Sequence, residues 1–266
     1  MSGQDYWDQF HARRARLRPP LRPDQAVVDR LAAVVAGHDA RVLMLGLTPE
    51  LAVIGHDLTI ADWNERTLRM PLARDPVRTR SVAVDWRDMA FAPDAFTAVI
   101  GDGGMTMVPC AEDYRRIFAR LVSCLVPGAR LALRCFVAPD QTETLDRIRE
   151  AVLHRAEPSF HALKWRIAMA LAARCAGQIA VSAIVDEFDR CFPDRAALCA
   201  QTDWDEATLG EIDSYRGSDA VYTFFTRDQL FATLPPAFAN PRLVASGAYP
   251  LAERSPFLVA DLVPHG

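Results

Sequence analysis

The chain has 266 residues, half of them hydrophobic, and a formal net charge of -4. That length suffices for one large domain, or a domain with an insertion. The mixed, slightly acidic charge carries no nucleic-acid footprint.

Residues 1 to 40 read as a helical cap. Tyr6, Trp7 and Phe10 have helical spacing, as a stripe that packs on the main domain or closes over a ligand. The basic run Arg13-Arg14-Ala15-Arg16-Leu17-Arg18 reads as a solvated helix face. The first ten residues are polar and acidic, unlike a secretory signal. The stretch Arg18-Pro19-Pro20-Leu21-Arg22-Pro23 cannot be regular helix and reads as a stiff linker that positions Arg18 and Arg22. A helix from Asp24 to Val35 leads through Gly37 to the first strand.

The stretch from Arg41 to Asp62 organises the rest. Val42-Leu43-Met44-Leu45 is a continuous apolar run, the pattern of a strand buried on both faces of a parallel sheet. Gly46 permits a sharp turn. Thr48-Pro49-Glu50 then combines an N-cap residue, a proline at the first helical position and an acid that suits the helix dipole. A short helix is expected here, with free backbone N–H groups over the strand end. A second strand, Asp57 to Ala61, ends at Asp62, where a carboxylate can accept hydrogen bonds from both hydroxyls of a ribose. Trp63 and Asn64 follow, with Trp63 placed to stack on an adenine or to cover the sheet edge.

The third strand, Ser81 to Val84, ends in a second acid and aromatic, Asp85-Trp86. The fourth, Thr97 to Ile100, ends in Gly101-Asp102-Gly103-Gly104-Met105, with a third acid and glycines that admit a ligand near the backbone. In an open α/β sheet, ligands bind beyond the carboxyl ends of the strands. A helix from Ala111 to Leu125 stops at Pro127-Gly128, and a fifth strand runs from Arg130 to Val137. This alternation predicts a Rossmann-like α/β fold with helices on both faces of a mostly parallel sheet.

These residues resemble class I S-adenosylmethionine-dependent methyltransferases. The resemblance rests on Leu45 to Glu50, Asp62, Asp85-Trp86, the run from Phe96 to Gly104, and Val126-Pro127-Gly128-Ala129, in that order. It implies a seven-stranded sheet with an antiparallel last strand. It also implies a cofactor site in which the Gly46 loop, with Thr48, Pro49 and Glu50, holds the methionine part. Asp62 would bind the ribose, with Trp63 beside it. Asp85 and Trp86 would border the adenine, and Asp102, Gly103, Gly104 and Met105 would line the methyl-transfer site. The family's glycine-rich loop is here reduced to Gly46 with Thr48-Pro49.

Residues 138 to 220 depart from the alternation. Helices are expected over Thr142 to His154, Phe160 to Cys175 and Ile179 to Phe192, with a weaker one from Trp204 to Tyr215, as an insertion over the substrate site. His154, His161 and Trp165 are its side chains of interest; a histidine in an apolar helix is more often structural than a base. The apolar stretch from His161 to Ala176 carries Lys164, Arg166 and Arg174, so it should not span a membrane. The tail, 221 to 266, holds Tyr222 at its start, a capping box at Thr226 to Gln229 opening a helix through Thr233, and strands at Arg242 to Ser246 and Phe257 to Leu262. The whole, 1 to 266, reads as a single domain with its cofactor-binding core at 41 to 137.

The six cysteines form no Cys-x-x-Cys pair and read as free thiols of a cytoplasmic protein, with no metal site. The leading function is S-adenosylmethionine-dependent methyl transfer to a small molecule or peptide; no nucleic acid or membrane partner is expected, and no catalytic residue is assigned. A nicotinamide-dependent oxidoreductase shares the sheet and suits Asp62, but the missing glycines count against it. A non-catalytic scaffold that keeps the fold is the third reading.

Overall fold

The computed structural model describes residues 17 to 263 apart from 71, 73, 74, 76 and 77. The Tyr6-Trp7-Phe10 stripe and Arg13, Arg14 and Arg16 lie outside the described residues.

The chain order begins with helix α1 (Gln25–Val35), capped by Asp24, whose side chain accepts from Val27 N. Strand β1 (Arg41–Leu45) follows, then a 3-10 turn (Pro49–Val53), β2 (Asp57–Asp62), a one-turn helix α2 (Glu65–Leu68), β3 (Thr79–Ala83) and β4 (Phe96–Asp102). Helix α3 (Ala111–Cys124) leads into β5 (Leu125–Arg134). Next come α4 (Leu145–Leu153), α5 (Phe160–Ala172), β6 (Gln178–Ala180), α6 (Val181–Cys191), α7 (Arg195–Gln201) and α8 (Glu206–Gly210). The chain closes with β7 (Val221–Thr223), α9 (Arg227–Phe231), β8 (Phe238–Val244) and β9 (Phe257–Leu262).

Seven strands form one sheet in the order β3-β2-β1-β4-β5-β9-β8. The pairs from β3 to β5 are parallel, and β9 runs antiparallel between β5 and β8. The expected architecture is therefore present, with the antiparallel strand last in sequence. Side-chain alternation divides the apolar run of β1 between two cores. Val42 and Met44 pack with Val28 and Leu31 of α1, while Leu43 and Leu45 pack with Ile117, Phe118 and Leu121 of α3. Both faces are covered, which is why the run is apolar throughout rather than alternating.

The segment between β5 and β8 has a core of its own around α5, whose Phe160, Leu163, Ile167 and Ala168 contact residues such as Val185 and Phe188 of α6. Helix α5 is buried nearly all round, which accounts for its composition. Among the described residues, no helix is long and apolar enough to cross a membrane. Two features here differ from the sequence expectation. Residues 178 to 180 form a strand pairing antiparallel with β7, so the helix begins at Val181 and not at Ile179. Residues Arg195–Gln201 add a helix capped by Asp194. Both elements are too short to leave a periodic signal. At the tail, Thr226 and Gln229 exchange the two hydrogen bonds of a capping box.

His161 lies in this second core. Burial, with the charges of Lys164 and Arg18, pushes its pKa down from 6.5 to about 3. Burial favours its neutral form, against the buried Glu211 carboxylate 3.7 Å from its Nδ1, and it is not among the residues that line the cavity at the strand ends. A histidine that must stay neutral favours the folded state above its unfolded pKa and opposes it below. The protein should lose stability as pH falls from about 6.5 towards about 3, by an amount on the order of a few kcal/mol from this group. Denaturant midpoints across that range should flatten in a His161→Gln variant; an unchanged pH slope would remove His161 from the account.

Candidate functional site

The carboxyl ends of β1, β2 and β4 open into a cavity of about 390 Å³, within the range of ligand pockets. Gly46, Thr48, Asp62, Trp63, Asp85, Trp86, Asp102, Gly103 and Gly104 all line it. Parallel register brings them together: Leu45, Ala61 and Gly101 are neighbours across three strands, so each strand-end residue projects into the same space.

Asp62 is 8% exposed and is the pivot of the site. One carboxylate oxygen accepts from Leu47 N at 3.0 Å, and the other from Asn64 N at 2.9 Å. Burial raises its pKa, against the lowering effect of these two bonds. Asn64 in turn caps α2, accepting from Arg66 N and Thr67 N. Asn64 is among the lining residues, and its side-chain amide nitrogen is buried without a hydrogen-bond partner among the described residues.

The loop after β1 corrects one expectation. Gly46 N donates to the Ala61 carbonyl at 2.9 Å, Leu47 N to Asp62, and Thr48 N to Met44 Sδ at 3.5 Å; residue 49 is proline. The N–H groups leading into the turn are thus engaged, residue 49 offers none, and Leu51 N donates back to the Thr48 carbonyl at 2.9 Å. The following element is a 3-10 turn, and Thr48 makes no side-chain cap bond. Glu50 turns away to Arg22, 2.7 Å from its Nε, which ties the proline linker to this loop. Neither Pro49 nor Glu50 is among the lining residues.

Trp86 lines the cavity as expected of its position, and its orientation changes the reading of the nearby glycines. Its indole N–H donates to the Ala61 carbonyl at 2.8 Å, which carries the ring back across the strand ends. A methyl group on Gly46 would meet Trp86 Cζ2 at 3.3 Å, and one on Gly104 would meet Cη2 at 2.8 Å. These glycines make room for the indole, so a ligand would meet the ring there rather than bare backbone. Gly103 similarly accommodates Phe136, whose Cε2 would lie 3.0 Å from a methyl at that position.

The other acids have protein partners. Asp85 is held below the usual carboxylate range by hydrogen bonds from Arg87, which also reaches Asp113 at 3.4 Å. Asp102 forms a buried ion pair with Arg134, whose second nitrogen donates to Tyr249 Oη at 3.0 Å. Burial alone would lower the Arg134 pKa, but Asp102 and Tyr249 hold it raised and the guanidinium charged. Met105 departs from its expected place: its side chain packs in the sheet core, 3% exposed, and its carbonyl accepts from Tyr114 Oη.

The far end of the cavity was only partly legible in the sequence. Trp165 and Tyr222 line it, whereas His154 is exposed at the end of α4 and His161 lies in the second core. Leu21, Arg87, Phe136 and Tyr215 also line it. Phe136 had one usable signal, its position two residues past the end of β5; Tyr215 lies in a 3-10 turn without a strong pattern. Among the described residues, no group of three or more His, Cys, Asp or Glu is placed to hold a metal ion.

No protein-family model matches the chain, and no curated protein sequence matches it. Solved structures do match. One is the S-adenosylmethionine-bound amino pentose methyltransferase CalS10 from Micromonospora echinaspora, at TM-score 0.53 and 15% identity, covering 96% of this chain and 97% of that one. A second is the 1,6-didemethyltoxoflavin-N1-methyltransferase of Burkholderia thailandensis, solved with 1,6-didemethyltoxoflavin and S-adenosylhomocysteine, at TM-score 0.50 and 14% identity, covering 98% and 87%. A third, described as a putative zinc-dependent alcohol dehydrogenase from Rhodobacter sphaeroides, matches at TM-score 0.58 and 15% identity, covering 99% and 98%. At these identities the likeness is one of fold: the chain has the fold of class I S-adenosylmethionine-dependent methyltransferases.

The Trp86 contact is open to a direct test. Gly104→Ala should lower the thermal midpoint, because the added methyl meets a tethered ring. Trp86→Leu in the same chain should relieve part of that loss, with a coupling of ~0.5–3 kcal/mol. Strict additivity would show that the two residues do not press on each other.

Proposed function

We propose that this protein transfers a methyl group from S-adenosylmethionine to a small-molecule acceptor. The observation that carries the reading is the Asp62 carboxylate. It is fixed at the end of β2 and faces a ligand-sized cavity, and each of its oxygens carries one backbone bond. A carboxylate has about four acceptor positions, so each oxygen keeps one for a ribose hydroxyl.

The same loop argues against a dinucleotide. A pyrophosphate needs backbone N–H groups aimed at it, and those of Gly46, Leu47 and Thr48 are in use. S-adenosylmethionine carries no phosphate and makes no such demand. A zinc-dependent reaction is likewise unsupported by any cluster of ligands among the described residues.

When bound, the cofactor supplies an electrophilic methyl group on a sulfonium. The residues of the chain then bind and orient. Asp62 holds the ribose, and Trp63, 48% exposed at the cavity, offers an aromatic surface for the adenine. Trp86 and the paired Asp102 form the floor and wall of the site. The aromatic far end excludes water around the acceptor. Holding a nucleophile in line with the methyl group can contribute ~7–11 kcal/mol in favourable cases, so no covalent step on the protein is required. A ring-lined cavity of this volume suits a small molecule better than a peptide or a nucleic acid.

Calorimetric titration tests this. S-adenosylhomocysteine should bind and NAD should not. Asp62→Ala should weaken binding about tenfold or more, the loss of hydrogen bonds to a charged group. Because burial raises the Asp62 pKa, affinity should fall with decreasing pH from above the ordinary carboxylate range, as protonation removes an acceptor. Saturable NAD binding without S-adenosylhomocysteine binding would favour an oxidoreductase; binding of neither would favour a scaffold.

A further inference from the structure

The acceptor end of the cavity is built from four aromatic rings in contact. Phe136 and Trp165 stack with centroids 4.3 Å apart and planes 19° from parallel. Trp165 and Tyr222 follow at 5.0 Å, and Tyr222 and Tyr215 at 6.2 Å. The column starts at Gly103, against which Phe136 rests, so it begins beside the strand end that carries Asp102. Met107 and Leu21, which also line the cavity, pack against the same core as these rings.

Charge is as informative as shape. The charged side chains lining the cavity among the described residues are Asp62, Asp85, Arg87 and Asp102. Asp62 carries two backbone N–H bonds and, on the methyltransferase reading, gives its remaining acceptor positions to the ribose, Asp85 pairs with Arg87, and Asp102 pairs with Arg134. No lysine, histidine, glutamate or cysteine among the described residues lines the cavity. A charged acceptor would therefore leave water for an apolar wall with no counter-ion set aside for it, at a large desolvation cost. A hydroxyl acceptor, which must lose its proton during attack, would find no histidine or lysine base, only carboxylates already held in ion pairs or by backbone bonds and neutral tyrosine hydroxyls.

From this we infer that the methyl acceptor is a small, flat, uncharged nitrogen compound, an aza-aromatic ring or an arylamine, held against the Phe136-Trp165-Tyr222 wall. The inference rests on the methyltransferase reading of the same site. A neutral nitrogen attacks with its own lone pair, so no base is needed. The new N–C bond forms as the C–S bond breaks, and the bonding pair stays on sulfur. The positive charge passes to the nitrogen, where aromatic rings stabilise it. If the nitrogen carried a hydrogen, that proton leaves to water after transfer.

The experiment uses the full chain, first titrated with S-adenosylhomocysteine and then, at saturation, with isoquinoline or 2-naphthoate by ligand-observed saturation-transfer NMR. The two probes are similarly flat, one neutral with a ring nitrogen and one anionic. Isoquinoline should bind saturably, and 2-naphthoate at least about tenfold more weakly. Trp165→Ala should weaken isoquinoline about tenfold, the scale of a lost aromatic contact, and leave S-adenosylhomocysteine within about twofold. Should that variant lose both ligands, Phe136→Leu decides: a several-fold loss of isoquinoline alone supports the assignment, and unchanged affinity overturns it. Stronger binding of 2-naphthoate, or no isoquinoline binding with S-adenosylhomocysteine bound, overturns it as well. Failure of S-adenosylhomocysteine to bind the unaltered protein overturns the methyltransferase reading and this inference with it.

Discussion

The site depends on a single buried carboxylate. Asp62 joins the loop after β1 to the start of α2 by accepting one backbone N–H from each. Two bonds of this kind hold a charge that burial disfavours. With Asp62 bonded to Leu47 N, the loop's donors are committed inward, and the glycine-rich cradle that a pyrophosphate would need has no counterpart. The sparse glycines follow from the same arrangement. A loop whose N–H groups at residues 46 to 48 are all engaged has no need to let a ligand approach them, and Gly46 instead makes space for an indole.

A second constraint runs from β4 through β5 to the far edge of the sheet. Asp102 pairs with Arg134, Arg134 donates to Tyr249, and Tyr249 Oη lies 2.5 Å from Ser246 Oγ and 3.0 Å from Ser255 Oγ. A buried pair of this kind is costly to break and of little net benefit to stability. Its contribution is to hold the end of β4, and hence Gly103, Gly104 and the adjoining Phe136, in one position. The cavity thus has a rigid polar end, set by Asp62 and Asp102, and an apolar end supplied by a separate core around α5.

Much of this was legible in the sequence, for physical reasons. The run from Val42 to Leu45 announced a strand covered on both faces, and three acids at strand ends marked the ligand-facing edge. Asp62, Asp85 and Asp102 do converge on one cavity. The partner of Asp102 was hidden, because Arg134 reaches it by tertiary geometry and not by spacing, whereas Arg87 stands two residues from Asp85. Met105 was misplaced since the 3-10 turn after β4 directs it into the core. Trp86 could not have been oriented without knowing that Ala61 offers it a carbonyl. In the insertion, the strands at 178 to 180 and 221 to 223 were illegible because three-residue strands leave no period to read.

The central claim is that the carboxyl ends of β1, β2 and β4 form an S-adenosylmethionine site anchored on Asp62. A crystal structure of the protein soaked with S-adenosylhomocysteine tests it most directly. The account predicts ligand density along those strand ends, with both ribose hydroxyls within hydrogen-bond distance of the Asp62 carboxylate and the sulfur directed towards the aromatic wall. Ligand bound elsewhere, or a ribose in the cavity that leaves Asp62 uncontacted, would contradict it.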